Sequence, residues 1–130
     1  MLTAAPPKRL VSTDTLARFF AAGASLAARS IGYLRAADLI LADRLAAERI
    51  VRLFSSSASK NWRQDAAMIV LCGSIAEYRA SPQTWRPEPS ATLSRGLTGD
   101  AFADCSNAAK SFVRRHWMEI EGLATRTVET

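Results

Sequence analysis

The stretch that decides the fold is residues 61–79, NWRQDAAMIVLCGSIAEYR. Its apolar residues recur at helical spacing on more than one side: Trp62, Ala66, Ile69, Gly73 and Ala76 on one, and Met68, Leu71, Cys72 and Ile75 on another. A helix that is apolar on all faces is typical of the centre of a domain. Glycine inside a helix costs about 1 kcal/mol relative to alanine. We therefore expect a second helix to cross this one closely at Gly73.

Capping residues and apolar stripes predict helices on both sides of this stretch. Ser12, Thr13 and Asp14 can cap a helix at about 13–32, whose stripe is Leu16, Phe20, Gly23, Ala27, Ile31 and Leu34. Thr98 can cap a last helical region at about 100–127, whose stripe is Ala109, Val113, Trp117, Ile120, Ala124 and Val128. A break near Arg115-His116 would divide this last region into two helices.

Residues 34–54 fit two interpretations. Their alanine and leucine content favours a helix, but 34–41 and 49–54 also read as two short strands of a small β-hairpin, since short apolar runs suit either. The predicted class is therefore α+β and predominantly helical, with four to five helices around the buried one. We expect a flexible arm at 1–11, a single domain over 12–130, and a proline-rich loop at 81–99.

Composition narrows the classes of protein that the chain can belong to. A length of 130 residues with 48% hydrophobic side chains fits one globular domain. Two cysteines form no disulfide framework and suggest a reducing compartment. The longest apolar run, residues 66–72, is far shorter than the roughly 18 residues of a membrane span. Because residues 1–11 also lack the apolar run of a signal peptide, we expect a cytoplasmic protein.

The net charge of +5 comes almost entirely from dispersed arginines. Arginine-rich, alanine-rich chains often reflect genomic base composition, so the charge alone is weak evidence for nucleic-acid binding. Two short clusters, 60–63 and 114–117, do set basic residues beside a tryptophan, which suits phosphate contact and base stacking. Both tryptophans also fall on predicted core stripes. The candidate binding surface consists of Lys60, Arg63, Arg86, Arg95, Arg114 and Arg115.

Four stretches, taken in order, resemble the FtsH-type zinc peptidases and their small stand-alone bacterial relatives. Residues 19–32, FFAAGASLAARSIG, resemble the helix that normally carries H-E-A-G-H. Residues 71–77, LCGSIAE, resemble the buried L-x-G-x-A-A-E helix. Thr98-Gly99-Asp100 through Asp104 resembles the T-G-x-x-x-D stretch that supplies the third metal ligand, and residues 114–121 resemble the closing helices.

The resemblance implies a scaffold whose site has been lost. In the family, two histidines four residues apart hold zinc and a glutamate between them activates water. Phe20 and Ala24 stand at the histidine positions and Ala21 at the glutamate position, while Asp100 or Asp104 could match the third ligand. One carboxylate alone does not hold zinc, so we expect no metal, no cofactor and no catalysis. The resemblance also favours a β element after the first helix.

The other residues with reactive side chains can each be explained by a structural role. His116, the only histidine, could act with Cys105 or Asp104, but it also fits a partly buried position beside Trp117. Cys72 fits a packing position, and a buried Glu77 needs a partner such as Arg79 or Arg29. Neither a phosphate-binding glycine loop nor a G-x-S-x-G elbow is present.

These observations predict a non-catalytic interaction protein, an adaptor or inhibitor that docks on a protein or nucleoprotein complex. The alternative is a nucleic-acid-binding module that uses the dispersed arginines. A third hypothesis is a hydrolase with an unrecognised site.

Overall fold

The computed structural model describes residues 13–56, 60–81 and 99–126. Of these residues 88% are helical. Six helices are present among them: α1 Thr13–Ser30, α2 Leu34–Asp43, α3 Ala47–Ser55, α4 Trp62–Ala80, α5 Gly99–Arg115 and α6 Trp117–Arg126. The arm predicted at 1–11 and nearly all of the loop predicted at 81–99 lie outside the described residues.

The α+β prediction is wrong, because the described residues contain no strand and 34–54 forms α2 and α3. The reason lies in the spacing of the apolar residues in α3. Ile50 and Phe54 are four residues apart and both are buried, as on one face of a helix. In a strand, Arg52 would share a face with both and would be buried with them. The helix instead leaves Arg52 exposed.

The α2–α3 connection closes in a tight turn at Arg44. This residue has φ +50° and ψ +55°, the left-handed conformation that often ends helices, and its N–H donates to the Ile40 carbonyl. Leu45 follows and is buried. After this turn, α3 packs against α4.

The prediction of a buried central helix is confirmed for α4. It packs against α1, α3 and α5. Nine of its residues are buried, and they occupy more than one side of the helix: Ala66, Ala67, Ile69, Val70, Leu71, Cys72, Gly73, Ser74 and Ala76. Partners on several sides explain why its apolar residues show no single stripe.

Two glycines allow α1 and α4 to cross at close range. A Cβ placed on Gly23 of α1 would lie 2.7 Å from the Cys72 carbonyl oxygen and 2.9 Å from the Ala76 Cβ. A Cβ placed on Gly73 of α4 would lie 2.9 Å from the ring of Phe20 and 2.9 Å from its carbonyl oxygen. Real Cβ atoms do not approach other heavy atoms this closely. The crossing predicted at Gly73 is confirmed, and its counterpart is Gly23.

Polar contacts fix the neighbouring helices against this pair. The buried Ser25 hydroxyl donates to the Ala37 carbonyl at 2.8 Å and joins α1 to α2. Tyr33, between α1 and α2, sets its ring edge-on to Phe54 of α3 at a centroid distance of 4.8 Å. Its hydroxyl donates to the Asp65 carboxylate in the first turn of α4. Tyr33 therefore joins α3 and α4 at one end of the molecule.

The last helical region divides in two at His116, as predicted. α5 runs parallel to α4, because Cys105 contacts Gln64 near the start of α4 and Trp117 contacts Arg79 near its end. α6 then packs on α1, where the rings of Trp117 and Phe19 stack at a centroid distance of 5.6 Å. Among the described residues, no helix combines the length and apolar character that crossing a membrane requires.

We predict that Gly23→Ala lowers the free energy of unfolding by about 1–3 kcal/mol, because the new methyl group meets a backbone carbonyl that cannot move aside without moving α4. Gly73→Ala should lower it less, since part of its contact is the Phe20 ring. Gly122→Ala is the matched control: this glycine is inside α6 and nothing lies within 4 Å of a Cβ there.

The control should raise the free energy of unfolding by up to about 1 kcal/mol through helix propensity alone. Denaturant melts followed by circular dichroism measure all three. Equal responses at Gly23 and Gly122 would contradict the close crossing.

Candidate functional site

The positions that match the peptidase histidines and glutamate lie inside the α1–α4 contact. Phe20 is 7% exposed, Ala21 1% and Ala24 0%. The Phe20 ring lies against Gly73, so an aromatic side chain occupies the side of α1 that faces α4. These three residues therefore belong to the core.

Asp104, which could match the third ligand, lies elsewhere. It is exposed on α5, next to Cys105, whose thiol contacts the Gln64 carbonyl at 3.9 Å. Phe20 contacts α4 at Gly73, nine residues beyond Gln64, which is about 13 Å along the helix. The structure does not bring Asp104 to the α1 positions. Nowhere in the described ranges do three His, Cys, Asp or Glu side chains come together as metal ligands would.

His116 lies at the α5–α6 junction and contacts side chains of neighbouring turns. Its Nδ1 is 2.9 Å from Glu119 Oε1, and its ring is 4.4 Å, centroid to centroid, from the ring of Phe112. Cys105 and Asp104 are 11 and 12 residues earlier on α5, or about 17 Å away along the helix. A His116–Cys105 or His116–Asp104 pair is therefore not formed.

Neither thiol is activated. Burial raises the pKa of Cys72 to about 12, and the residue packs in the core as predicted. The pKa of Cys105 is also raised, first by burial and then by the negative charges of Asp104 and Asp65. A nucleophilic cysteine needs a lowered pKa, so both cysteines are in environments that suppress the thiolate.

Among the described residues, neither of the two arginines suggested as partners of Glu77 pairs with it. Arg79 stacks its guanidinium on Trp117 at 4.8 Å from the ring centroid, and Arg29 binds Asp38 at 2.9 Å. Burial raises the pKa of Glu77. Sequence proximity does not fix which way an arginine side chain turns, and both of these arginines have other contacts.

The candidate basic residues fall into two separate groups. Lys60 and Arg63 are exposed at the start of α4, and Arg114 and Arg115 are exposed at the end of α5. Because α5 runs parallel to α4, these groups lie toward opposite ends of the two helices. Arg86 and Arg95 lie outside the described residues. The two groups therefore do not form one continuous patch.

Two arginines that we did not predict as binding residues lie on α3, the helix that precedes the first group in the sequence. Arg49 and Arg52 are exposed on α3, which packs against α4. In a strand, Arg49 and Arg52 would point to opposite faces. In a helix they lie on the same face, because they are three residues apart. Reading 49–54 at the helical period would have placed them together.

We predict that Glu77→Gln stabilises the protein at pH 7, because it removes a carboxylate that burial disfavours. Its pKa is higher in the folded state than the ordinary value of 4.5. The folded state therefore holds the proton more tightly, and stability falls as pH rises between the unfolded and folded pKa values. Below pH 4.5 both states are protonated and the advantage of glutamine should disappear.

Thermal melts of the wild-type protein and Glu77→Gln at pH 7 and pH 4 test this expectation. Glu121→Gln, at an exposed position, controls for the change in net charge. A lower melting temperature for Glu77→Gln at pH 7 would show that the carboxylate has a stabilising partner.

No protein-family model, no curated protein and no solved structure matches this chain. The relationship to FtsH-type peptidases therefore rests on the sequence stretches quoted above and is a hypothesis.

Proposed function

We propose that this protein is a non-catalytic interaction module, an adaptor or inhibitor that docks on another protein. The observation that supports this most directly is the position of Phe20. In the peptidase resemblance this position belongs to a metal ligand, but here its ring lies against Gly73 in the contact between α1 and α4.

The packing around Phe20 opposes access by substrate. Ala24, one turn further along α1, is fully buried, and Gly23 lies between them against the Cys72 carbonyl. A hydrolytic site needs room for water and a scissile bond beside its catalytic groups. The side of α1 that would carry this chemistry contacts protein atoms instead.

The distribution of charge supports binding to a partner. Arg18, Arg29 and Arg44 are paired with Asp14 or Asp38. Among the described residues, neither Lys60 nor Arg63 forms an ion pair, and both are exposed. Exposed arginine is enriched at protein interfaces, and unpaired positive charge accelerates association with an anionic partner.

Nucleic-acid binding is the second candidate, and the tryptophans argue against it. Trp62 and Trp117 both pack against the core. The guanidinium of Arg63 covers the ring of Trp62 at 4.6 Å, and that of Arg79 covers Trp117 at 4.8 Å. Base stacking needs a free ring face. These tryptophans are better placed to hold arginine side chains than to stack bases.

We predict that Phe20→Ala lowers the free energy of unfolding by about 3–5 kcal/mol, because it empties a buried phenylalanine site. Phe102→Ala, which truncates a partly buried phenylalanine on α5, should cost less. Urea melts measure both variants. A Phe20→Ala protein as stable as the wild type would mean that this ring is not part of the core.

Affinity purification of the tagged protein from its own cells, with and without nuclease, tests the proposed function. We expect one protein or complex to be recovered at near-equal amounts in both arms, as read by quantitative mass spectrometry. Loss of all partners after nuclease would favour the nucleic-acid alternative. Turnover of a substrate that is abolished by mutating His116 or Asp104 would contradict the non-catalytic assignment.

A further inference from the structure

Four exposed basic residues lie on α3 and at the start of α4, two helices that pack against each other. Arg49 and Arg52 are on α3, and Lys60 and Arg63 are at the start of α4; all four are exposed. We call this set the basic corner. It includes two of the basic residues predicted from sequence and two that the helical structure of 47–55 adds.

Tyr33 brings the two helix ends together. Its ring contacts Phe54 in the last turn of α3, and its hydroxyl binds Asp65 in the first turn of α4. Arg52 is two residues before Phe54, and Arg63 is two residues before Asp65. One tyrosine thus fixes the spacing between the two halves of the basic corner.

The α3 half presents its charges on one face. Ile50 and Phe54 of α3 are buried, so this stripe faces the core. Arg49 and Arg52 lie on the opposite face, three residues and one turn apart, with Cβ atoms about 5–6 Å from each other. This spacing matches that of carboxylates three or four residues apart on a partner helix.

Carboxylates lie near the basic corner, but within the described residues they form no ion pair with it. None of its four side chains makes an ion pair there, although three other arginines of the chain do. Three carboxylates belong to the same region. Glu48 is one turn before Arg52 but does not bind it, Asp65 is bonded to Tyr33, and Asp104 lies beside Cys105 on the α5 side.

We propose that the basic corner docks an acidic segment of a partner protein, with carboxylates at helical spacing. The proposal rests on the interaction function proposed above and names the surface and the partner's chemistry. Arginine forms two parallel hydrogen bonds to a carboxylate, which gives orientation as well as attraction. A nucleic acid fits less well, because Trp62, the aromatic residue between Lys60 and Arg63, is covered by Arg63 and packed on the core.

Titration of the purified full chain with fluorescein-labelled polyglutamate, followed by fluorescence anisotropy, tests this proposal. Polyglutamine of the same length is the uncharged probe, and polyuridine RNA is the phosphate probe. We expect polyglutamate to bind, polyglutamine not to bind, and the double variant Arg52→Glu/Arg63→Glu to weaken polyglutamate binding at least about tenfold. Raising the salt concentration should weaken binding further.

Arg114→Glu/Arg115→Glu is the matched control, because it makes the same change in net charge at exposed positions toward the other end of α5. It should change polyglutamate affinity by less than about threefold. Circular dichroism melts verify that both double variants are folded. Equal losses in the two double variants would overturn the proposal, because the attraction would then follow net charge and not the basic corner.

Tighter binding of polyuridine than of polyglutamate, lost in Arg52→Glu/Arg63→Glu, would also overturn it in favour of RNA. A failure of this proposal can be distinguished from a failure of the proposed function. If the protein partner recovered from cells still binds Arg52→Glu/Arg63→Glu, the interaction function stands and the basic corner is not its surface. If no protein partner is recovered, the proposed function itself fails.

Discussion

The close approach of Gly23 to Cys72 and Ala76, and of Gly73 to Phe20, sets the distance between α1 and α4, and the other helices are arranged around that pair. Neither glycine has a side chain, so backbone atoms of one helix touch backbone and side-chain atoms of the other. The alanines that surround the crossing on α1, such as Ala24 and Ala27, are fully buried for the same reason. With α1 this close, α4 is enclosed once α3 and α5 pack against it, and nine of its residues are buried.

The close packing of α1 on α4 also bears on function. Phe20 and Ala24 occupy the side of α1 where a related peptidase would need a cleft. Because this side is packed, any reactive group would have to lie elsewhere in the protein. Those groups are dispersed, with His116 bound to Glu119 and both cysteines held as thiols by burial. Among the described residues, exposed charges remain available. They are unevenly paired, since within this part of the chain aspartates bind three arginines of α1 and the α2–α3 turn but none in the basic corner.

Two kinds of feature could be predicted from the sequence. One is a stretch whose apolar residues recur with an unambiguous period, and the other is a glycine that destabilises a helix unless a neighbour needs the space. The run around Ile69 is apolar on every side and could only be central, and Gly73 inside it required a close neighbour. Residues 34–54 were ambiguous because short apolar runs fit both periods, and only the packing of α2 against α1 and of α3 against α4 decided between them. For the same reason the sequence did not show that Arg49 and Arg52 lie on one face, since they do so only in a helix. The contact of Arg79 with Trp117 depends on the position of α6, which no local pattern predicts.

Native-state hydrogen exchange followed by NMR tests whether the α1–α4 contact is a permanently closed core. We expect the amides of 20–25 and 69–76 to exchange only through global unfolding, with an opening free energy equal to that of the whole protein. Exchange of the α1 amides through a local opening well below the global value, while α4 stays protected, would contradict this expectation. Such an opening would mean that α1 can separate from α4 and expose a cleft at Phe20.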